Sequence, residues 1–337
     1  IVCLMQLATN PYRIHWSGIG DPEYWESPHK GSGGYEFADG EFVQGATEFT
    51  NPIIFTRSAI YAAMFSPSGG EIFSFQKIHD KIGAKTPHGI ATRGSNAFFI
   101  SDSGFYSISI DGQLTPIGFE KVNRTIIDNY GNVVLENMKG IIDPVYDRVY
   151  WAVDTQTDTQ VTFVYDWRLQ KWSTIQSQRF LYFTAYSPSY SLDELGIISS
   201  SIDNLYAALD DPIWDGGTPC IAAFDFFNRF GLFVGTPMEA TIGIPEIAAT
   251  NGHITFCNKF FAEIDTLDSR LTVGNRTFRH FKDNMVWSKE YLPSHRTGAF
   301  HILSKDRYHK FVLRIPKGVK WTNLTGFYAD FRSAGTS

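Results

Sequence analysis

The 337-residue chain is 43% hydrophobic, 15% aromatic and 19% charged, with a formal net charge of −6. The aromatic content favours strands over helices, and the small number of charges suits a chain that buries surface against partners. The negative charge argues against a sequence-reading nucleic-acid binder, which needs basic side chains to neutralise phosphates, but it is compatible with a wall past which DNA slides.

The first ten residues begin in the middle of an apolar pattern and lack the basic segment of a signal peptide. We interpret them as a strand whose preceding sequence is missing, and expect the chain to be a fragment or a processed product. Cys3, Cys220 and Cys257 lie far apart, without a CxxC pair or a histidine at zinc spacing. They predict three small buried side chains in a reducing cytoplasm. No run approaches the roughly 18 to 20 apolar residues of a membrane span.

Alternation of apolar and polar residues predicts half-buried strands, because successive side chains of a strand point to opposite faces. Helical periodicity is nearly absent, so the pattern predicts almost no helix. The clearest alternating sets are Tyr106, Ile108 and Ile110; Val149, Trp151 and Val153; Val161, Phe163 and Tyr165; and Phe311, Leu313 and Ile315.

Turn signals separate the predicted strands. Asp-Gly and Asn-Gly supply the positive φ angles that tight antiparallel turns require. Short strands joined by such turns form meanders, which are typical of sandwiches, barrels and propellers. The signals lie at residues 66–70, 102–104, 111–112, 129–132, 215–217 and 251–252.

A loose repeat runs through the chain before residue 236: a strand ending in small or polar residues, a turn and then an aromatic strand. It recurs about every 40 to 55 residues, the range of propeller blades. After residue 235 the aromatic hairpins give way to five or six strands, typical of a small β-sandwich. The sequence therefore predicts an all-β chain, with a β-propeller-like domain over residues 1–235, complete or incomplete at its N-terminus, and a C-terminal β-sandwich domain over residues 236–337. The repeats lie at 60–75, 98–108 and 149–165, with a fourth opening at 205–208, and the C-terminal strands at 238–248, 253–261, 269–274, 298–303, 308–315 and 326–331.

Carboxylates that could serve a glycosidase have structural explanations. Such enzymes need paired acids, and sialidases add an arginine cluster. Asp102 lies in an Asp-x-Gly sequence that any hairpin turn prefers. Asp143, Asp147, Asp154 and Asp158 flank one strand and its turn, and predict a solvated turn.

Histidines and aromatic residues offer weaker candidates. His295, His301 and His309 could meet as a metal site only if their strands were adjacent. The motifs of zinc proteases, dinucleotide sites, phosphate loops and serine hydrolases are missing from the sequence. We therefore predict a non-enzyme with no catalytic, cofactor-binding or metal-binding residues and no cofactor. Aromatic side chains that could stack on sugars, but that more commonly fill cores or interfaces, are Trp287, Tyr291, Tyr308 and Trp321.

Three parts of the chain resemble bacteriophage tail proteins. Residues 13–25 (RIHWSGIGDPEYW) are similar to a segment common in tail nozzle, hub and DNA-stabilisation proteins. Residues 75–88 with 96–106 resemble the IG…P stretch and the aromatic hairpin of those proteins, and residues 307–321 (RYHKFVLRIPKGVKW) resemble their C-terminal segment. In order along the chain, these matches are similar to the propeller-bearing nozzle or tail tubular proteins of short-tailed phages.

The resemblance implies a structural virion protein, made in the bacterial cytoplasm and assembled into the phage tail. It implies a homohexameric ring below the portal and adaptor proteins, in contact with other tail proteins or fibres, through which genomic DNA passes without specific binding during ejection. Acidic loops at residues 193–194 and 210–211 are candidates for the channel wall. Two alternatives stay open: a receptor- or glycan-binding tail protein that uses its C-terminal domain, and a glycan-degrading enzyme on a propeller.

Overall fold

The computed structural model describes residues 1–26, 29–37, 41–66, 72–153, 160–177, 179–205, 208–210, 214–225, 227–233, 237–249, 253–277 and 284–334. These residues form seven small antiparallel sheets and two α-helices, which confirms the all-β prediction. Each sheet is open within the described ranges, and a closed propeller is not seen. The chain divides into two compact units, Ile1–Val234 and Gly235–Ser337, a division one residue from the predicted boundary.

Unit 1, Ile1–Val234, contains five sheets, and each is a meander whose neighbouring strands follow one another along the chain. Sheet I contains β1 (Cys3–Leu4), β2 (Arg13–Trp16) and β3 (Gly33–Glu36). Sheet II contains β4 (Val43–Ala46), β5 (Ile53–Thr56), β6 (Ile60–Phe65) and β7 (Phe73–His79). Sheet III contains β8 (Ala91–Arg93), β9 (Asn96–Ser101), β10 (Gly104–Ser109) and β11 (Leu114–Pro116). Sheet IV contains β12 (Lys139–Ile142), β13 (Arg148–Val153), β14 (Gln160–Asp166) and β15 (Lys171–Ser177), and sheet V contains β16 (Arg179–Tyr186), β17 (Pro219–Asp225) and β18 (Phe230–Leu232).

Four apolar cores join sheets I to V in chain order, each lying between one sheet and the next. Strand β9 shows how this happens. Phe98 and Ile100 pack toward sheet IV, whereas Ala97 and Phe99 pack toward sheet II. Because side chains alternate along a strand, one strand supplies two cores and its sheet is buried on both faces.

The prediction of half-buried strands is therefore wrong for β13. Trp151 faces the core between sheets III and IV, while Tyr150 and Ala152, on the opposite parity, are buried in the core between sheets IV and V. A neighbouring sheet covers each face, so neither face is solvated. The prediction is confirmed for residues 308–315 in unit 2, where buried and partly exposed residues alternate.

Two helices interrupt unit 1 although the sequence pattern predicts neither. Helix α1 (Asn123–Leu135) kinks at Gly131, whose φ is 70°, so the turn signal at residues 129–132 lies inside a helix and not in a hairpin. Ile126 and Leu135 pack into the core between sheets III and IV. Helix α2 (Leu192–Ile198) begins with a capping box between Ser191 and Glu194. Neither described helix is long and apolar enough to cross a membrane.

Two turn signals are confirmed as hairpins: residues 102–104 join β9 to β10 and residues 111–112 join β10 to β11, with Gly104 and Gly112 at positive φ. Residues 215–217 end a long insertion and do not form a hairpin. The signal at 251–252 and most of that at 66–70 lie outside the described residues. The predicted fourth repeat is wrong at Leu205, which follows a 3-10 turn and is not in a strand.

The described residues of unit 2, Gly235–Ser337, form seven strands, and each of the six predicted C-terminal segments overlaps one of them. Sheet VI contains, in spatial order, β19 (Ala240–Gly243), β24 (Tyr308–Ile315), β21 (Arg270–Arg276) and β22 (Val286–Trp287). Sheet VII contains β23 (Phe300–Asp306), β20 (Thr255–Ile264) and β25 (Leu324–Ser333). Both sheets contribute to one core, which contains Cys257, Phe260, Leu271, Val273, Phe300, Ile302, Phe311 and Leu313.

Candidate interaction surfaces

The first strands of sheets III, IV and V lie side by side, since β8 contacts β12 and β12 contacts β16. A cavity of about 420 Å³ opens beside them, and residues of all three strands line it. The Arg93 guanidinium donates hydrogen bonds to the backbone carbonyls of Asp143 and Tyr146. Arg93 thereby ties sheet III to the turn after β12.

Asp143, the first residue of the acidic run, organises that turn from a buried position. Its Oδ1 accepts the backbone N–H groups of Val145 and Tyr146, and its Oδ2 accepts the Tyr150 hydroxyl at 3.2 Å. Burial, together with the Asp143 charge, raises the pKa of Tyr150 to about 12. The prediction of a turn is confirmed, but that of a solvated carboxylate is wrong for Asp143, because folding sequesters it for these bonds. Asp154 and Asp158 lie outside the described residues.

Asp102, in the β9–β10 hairpin, pairs with a lysine. The Nζ of Lys85 lies 2.6 Å from its Oδ1, with the lysine side chain 5% exposed and the aspartate 62% exposed. The partner of Asp102 is an ammonium group, whereas a glycosidase would place a second carboxylate opposite it. The pair anchors the segment before β8 to the hairpin.

The three candidate histidines do not converge. His309 is fully buried, with Nδ1 2.7 Å from the Ser304 hydroxyl and Nε2 2.9 Å from the Thr255 hydroxyl, and burial lowers its pKa. His295 and His301 are exposed. Among the described residues no three histidine, cysteine or acidic side chains are grouped to hold a metal ion.

Of the four candidate sugar-stacking residues, Trp287 presents the most accessible ring. It lies on the edge strand β22, 47% exposed, with its ring carbons against the position that a Cβ of Gly274 would occupy. A Cβ at position 274 would crowd the indole, so glycine leaves room for the ring against the sheet. Tyr291, Tyr308 and Trp321 are half-buried.

The cysteines differ in their surroundings. Cys257 is buried in the core of unit 2, which raises the pKa of its thiol to about 12. Cys220 is partly buried, but Cys3 is exposed, so the prediction of three buried thiols is wrong there. Cys3 lies in β1, a two-residue edge strand with little sheet around it.

A long insertion separates β16 from β17 and displays apolar side chains to solvent. Its base is closed by Tyr190 and Trp214, whose rings pack edge to face while the Tyr190 N–H donates to the Trp214 carbonyl at 3.0 Å. Ile197 is 86% exposed and Ile202 is 65% exposed. Sequence reasoning missed this surface; one signal that could have found it is the lack of any lysine, arginine or histidine from residue 187 to residue 215.

The segments that resemble phage tail proteins lie in structural elements. Residues 13–25 contain β2, whose Trp16 is buried and donates from Nε1 to the Gly31 carbonyl at 2.9 Å. Residues 96–106 contain β9 and the start of β10, and residues 307–321 contain β24. No protein-family model and no curated protein matches the chain. The expected relation to phage tail proteins therefore depends on the three resembling segments alone, and these segments form parts of cores and hairpins.

Proposed function

We propose that the chain is a structural component of a bacteriophage tail, a nozzle or hub protein that assembles into a ring and closes and conducts the DNA channel. The observation that carries this proposal is the arrangement of unit 1. Five consecutive meanders pack face to face in chain order, and the first strands of sheets III to V lie together. Blades of a β-propeller have this organisation, so the arrangement favours a propeller.

Unit 2 supports the same proposal as the accessory β domain. Its two sheets share one core and expose their other faces, as the sheets of a β-sandwich do. The resemblance of residues 13–25, 75–88, 96–106 and 307–321 to tail nozzle and hub proteins spans both units and supports the proposal.

The proposed role is structural and not enzymatic. Buried polar groups that could have formed a catalytic set have other tasks: Asp143 holds a turn, Lys85 anchors a hairpin, and His309 bridges two hydroxyl groups in a core. Such groups stabilise a fold without meeting a substrate. We propose no cofactor.

Electron microscopy of purified virions tests the proposal. The expected result is a six-fold ring of this chain on the tail axis, below the portal and adaptor, with continuous density for DNA through it after packaging. Peripheral trimers, or absence of the chain from purified particles, would contradict it.

Trp287 favours a second candidate, a receptor- or glycan-binding tail protein. A flat, exposed indole on an edge strand can stack on a sugar ring. A glycan array probed with the full chain and with Trp287→Ala tests this: binding by the first and not by the second would support a glycan site. Tyr328→Ala is the matched control, because Tyr328 is also exposed but lies on sheet VII.

A further inference from the structure

The insertion between β16 and β17 carries an exposed apolar surface. We call it the insertion patch and define it by Ile197, Ile202, Asp193 and Asp203. Leu195 anchors α2 in the interior, and Ile197 points away from it because residues two apart lie on nearly opposite sides of a helix. Both aspartates are exposed, and neither has an ion-pair partner among the described residues. Isoleucines as exposed as these, in a segment without a single cation, mark a surface that a partner can cover.

The second surface lies where two turns meet, and we call it the basic ledge. It consists of Phe119, which follows β11, and Leu169, between β14 and β15, with the cations Lys121, Arg168 and Lys171. The two apolar side chains are 65% and 64% exposed. The Lys121 ammonium donates to the carbonyl of residue 170 at 3.4 Å and so joins the two turns. Arg168 and Lys171 are exposed and have no ion-pair partner among the described residues.

Both turns of the basic ledge are held rigidly. The Asp166 carboxylate accepts the Leu169 N–H at 2.9 Å, and Gln170 adopts a left-handed conformation with φ 54°. In the other turn, the Gly118 carbonyl accepts the N–H groups of residues 121, 122 and 123, each at 3.1 Å. A surface that is already ordered loses little conformational entropy when a partner binds. Glu120 is the one exposed acidic residue in the turn after β11, so the three cations of the basic ledge outnumber it.

The two surfaces complement each other in both respects that govern association. Each presents two exposed apolar side chains, one set bordered by aspartates and the other by lysine and arginine. Opposite charges around an apolar contact steer encounter and fix register, while the apolar side chains supply the burial. Both sets are exposed in the single chain, so neither covers the other within one copy.

We propose that the insertion patch of one copy packs on the basic ledge of a second copy. Such a contact joins different surfaces of the two copies, which is the kind of contact that closes into rings. The inference rests on the proposed function for the ring, but it makes its own claim about which residues meet. It also places Asp193 against a neighbouring copy, and not on the channel wall as the sequence suggested.

Paired charge reversals test the contact. Asp193→Lys with Asp203→Lys makes the insertion patch basic, and Arg168→Glu with Lys171→Glu makes the basic ledge acidic. Each double variant alone then opposes like charges, and we expect its dissociation constant for self-association to rise at least about tenfold. An equimolar mixture of the two restores opposite charges at every contact, so it associates again. Sedimentation velocity measures all three, and circular dichroism verifies that each variant is folded.

The matched control is Lys317→Glu with Lys320→Glu, which changes the net charge by the same amount and in the same direction as the basic-ledge variant, at exposed positions of unit 2. It is expected to associate like the wild-type chain. The proposal is overturned if the wild-type chain stays monomeric at about 100 μM, a concentration that detects even weak contacts, if the control dissociates as much as the variants, or if the mixture fails to associate. An axial ring in virions together with any of these results would leave the proposed function standing and remove only this contact.

Discussion

The two units use β-sheets in different ways. In unit 1 a strand such as β13 is buried on both faces, because a sheet lies on either side of it. In unit 2 a strand such as β24 is buried on one face only, and its other face carries Arg314, which pairs with Glu239 and Glu290. The comparison teaches that substitution tolerance follows the number of sheets covering a strand. In central strands of unit 1 such as β9 and β13 both parities are core, whereas in β24 of unit 2 one parity is surface.

The largest loss of stability is expected from truncating a buried side chain in the core between sheets III and IV. Trp151 is fully buried, is packed against Phe105 and Trp172, and donates from Nε1 to the Gly89 carbonyl at 3.0 Å. Trp151→Ala removes this packing and leaves a cavity, so we expect the free energy of unfolding to fall by about 3–5 kcal/mol. Chemical denaturation measures the loss of stability, and hydrogen exchange of the backbone amides should locate that loss in unit 1. Phe311→Ala is the matched core change in unit 2. If both variants reduced the protection of backbone amides equally in the two units, the comparison between the units would be contradicted.

Two valines, one in each unit, allow the same substitution to be compared in a sheet covered on both faces and in a sheet covered on one. Val164 lies on β14 with the parity that faces sheet V, and Val312 lies on the outer face of β24. We expect Val164→Ala to lower the free energy of unfolding by about 1–3 kcal/mol, since it opens space in a core. Val312→Ala should cost less than about 0.5 kcal/mol, as surface changes do. Equal losses, measured by urea denaturation, would show that two-sided burial does not distinguish the units.

Mild acid is expected to weaken unit 2 through His309. Burial holds the pKa of His309 below its ordinary value of 6.5. As the pH falls below 6.5, the imidazole is therefore protonated in the unfolded chain before it is protonated in the folded chain. The stabilisation is complete above pH 6.5 and is lost as the pH falls from there toward the folded pKa. Denaturation midpoints of unit 2 between pH 7 and pH 5 should decline, and His309→Gln should flatten that decline. His301→Gln is the control, because His301 is exposed and its loss should leave the slope in place.

The smallest effect is expected on the outer face of sheet VI. Arg314 lies 2.7 Å from Glu239 and 3.1 Å from Glu290, but all three side chains are about 40% exposed and solvent screens them. Arg314→Gln should lower the thermal midpoint less than either of the core changes Trp151→Ala and Val164→Ala. The difference from wild type should vanish in about 1 M salt, where charges are screened within a few ångströms. A difference that persists in salt would mean that the arginine acts through packing.

The positions of strands can be predicted from the sequence where one face of the strand is exposed to solvent, because polar and apolar residues then alternate. Residues 300–304 and 308–315 alternate between buried and exposed or partly exposed side chains, and each of the six predicted C-terminal segments overlaps a strand. In unit 1 the predicted repeat is out of phase with the sheets. Residues 60–63 belong to β6, the third strand of sheet II, whereas residues 98–101 and 149–152 belong to second strands. The true counterpart is β5, Ile-Ile-Phe-Thr, which is buried throughout and shows no alternation.

The surfaces were harder to predict than the strands. Whether Ile197 or Phe119 is buried depends on what packs over it, and nothing local in the sequence distinguishes an exposed isoleucine from a core one. Helix α1 was missed because Gly131 breaks its periodicity. Asp102 could be assigned to its hairpin because turn chemistry is local, but its partner Lys85 lies outside the hairpin, in the segment before β8.

The chain order of the sheets also sets the sequence in which the protein can fold. Every sheet of unit 1 is complete once a short, continuous stretch of chain is available, so sheets I to V can form one after another during synthesis. Unit 2 has to wait, because β20 pairs with β25, joining residues 255 and 333, and β19 pairs with β24. Until β25 emerges from the ribosome, one edge of β20 stays open to other chains, and this is the interval in which misassembly of nascent chains is most to be expected.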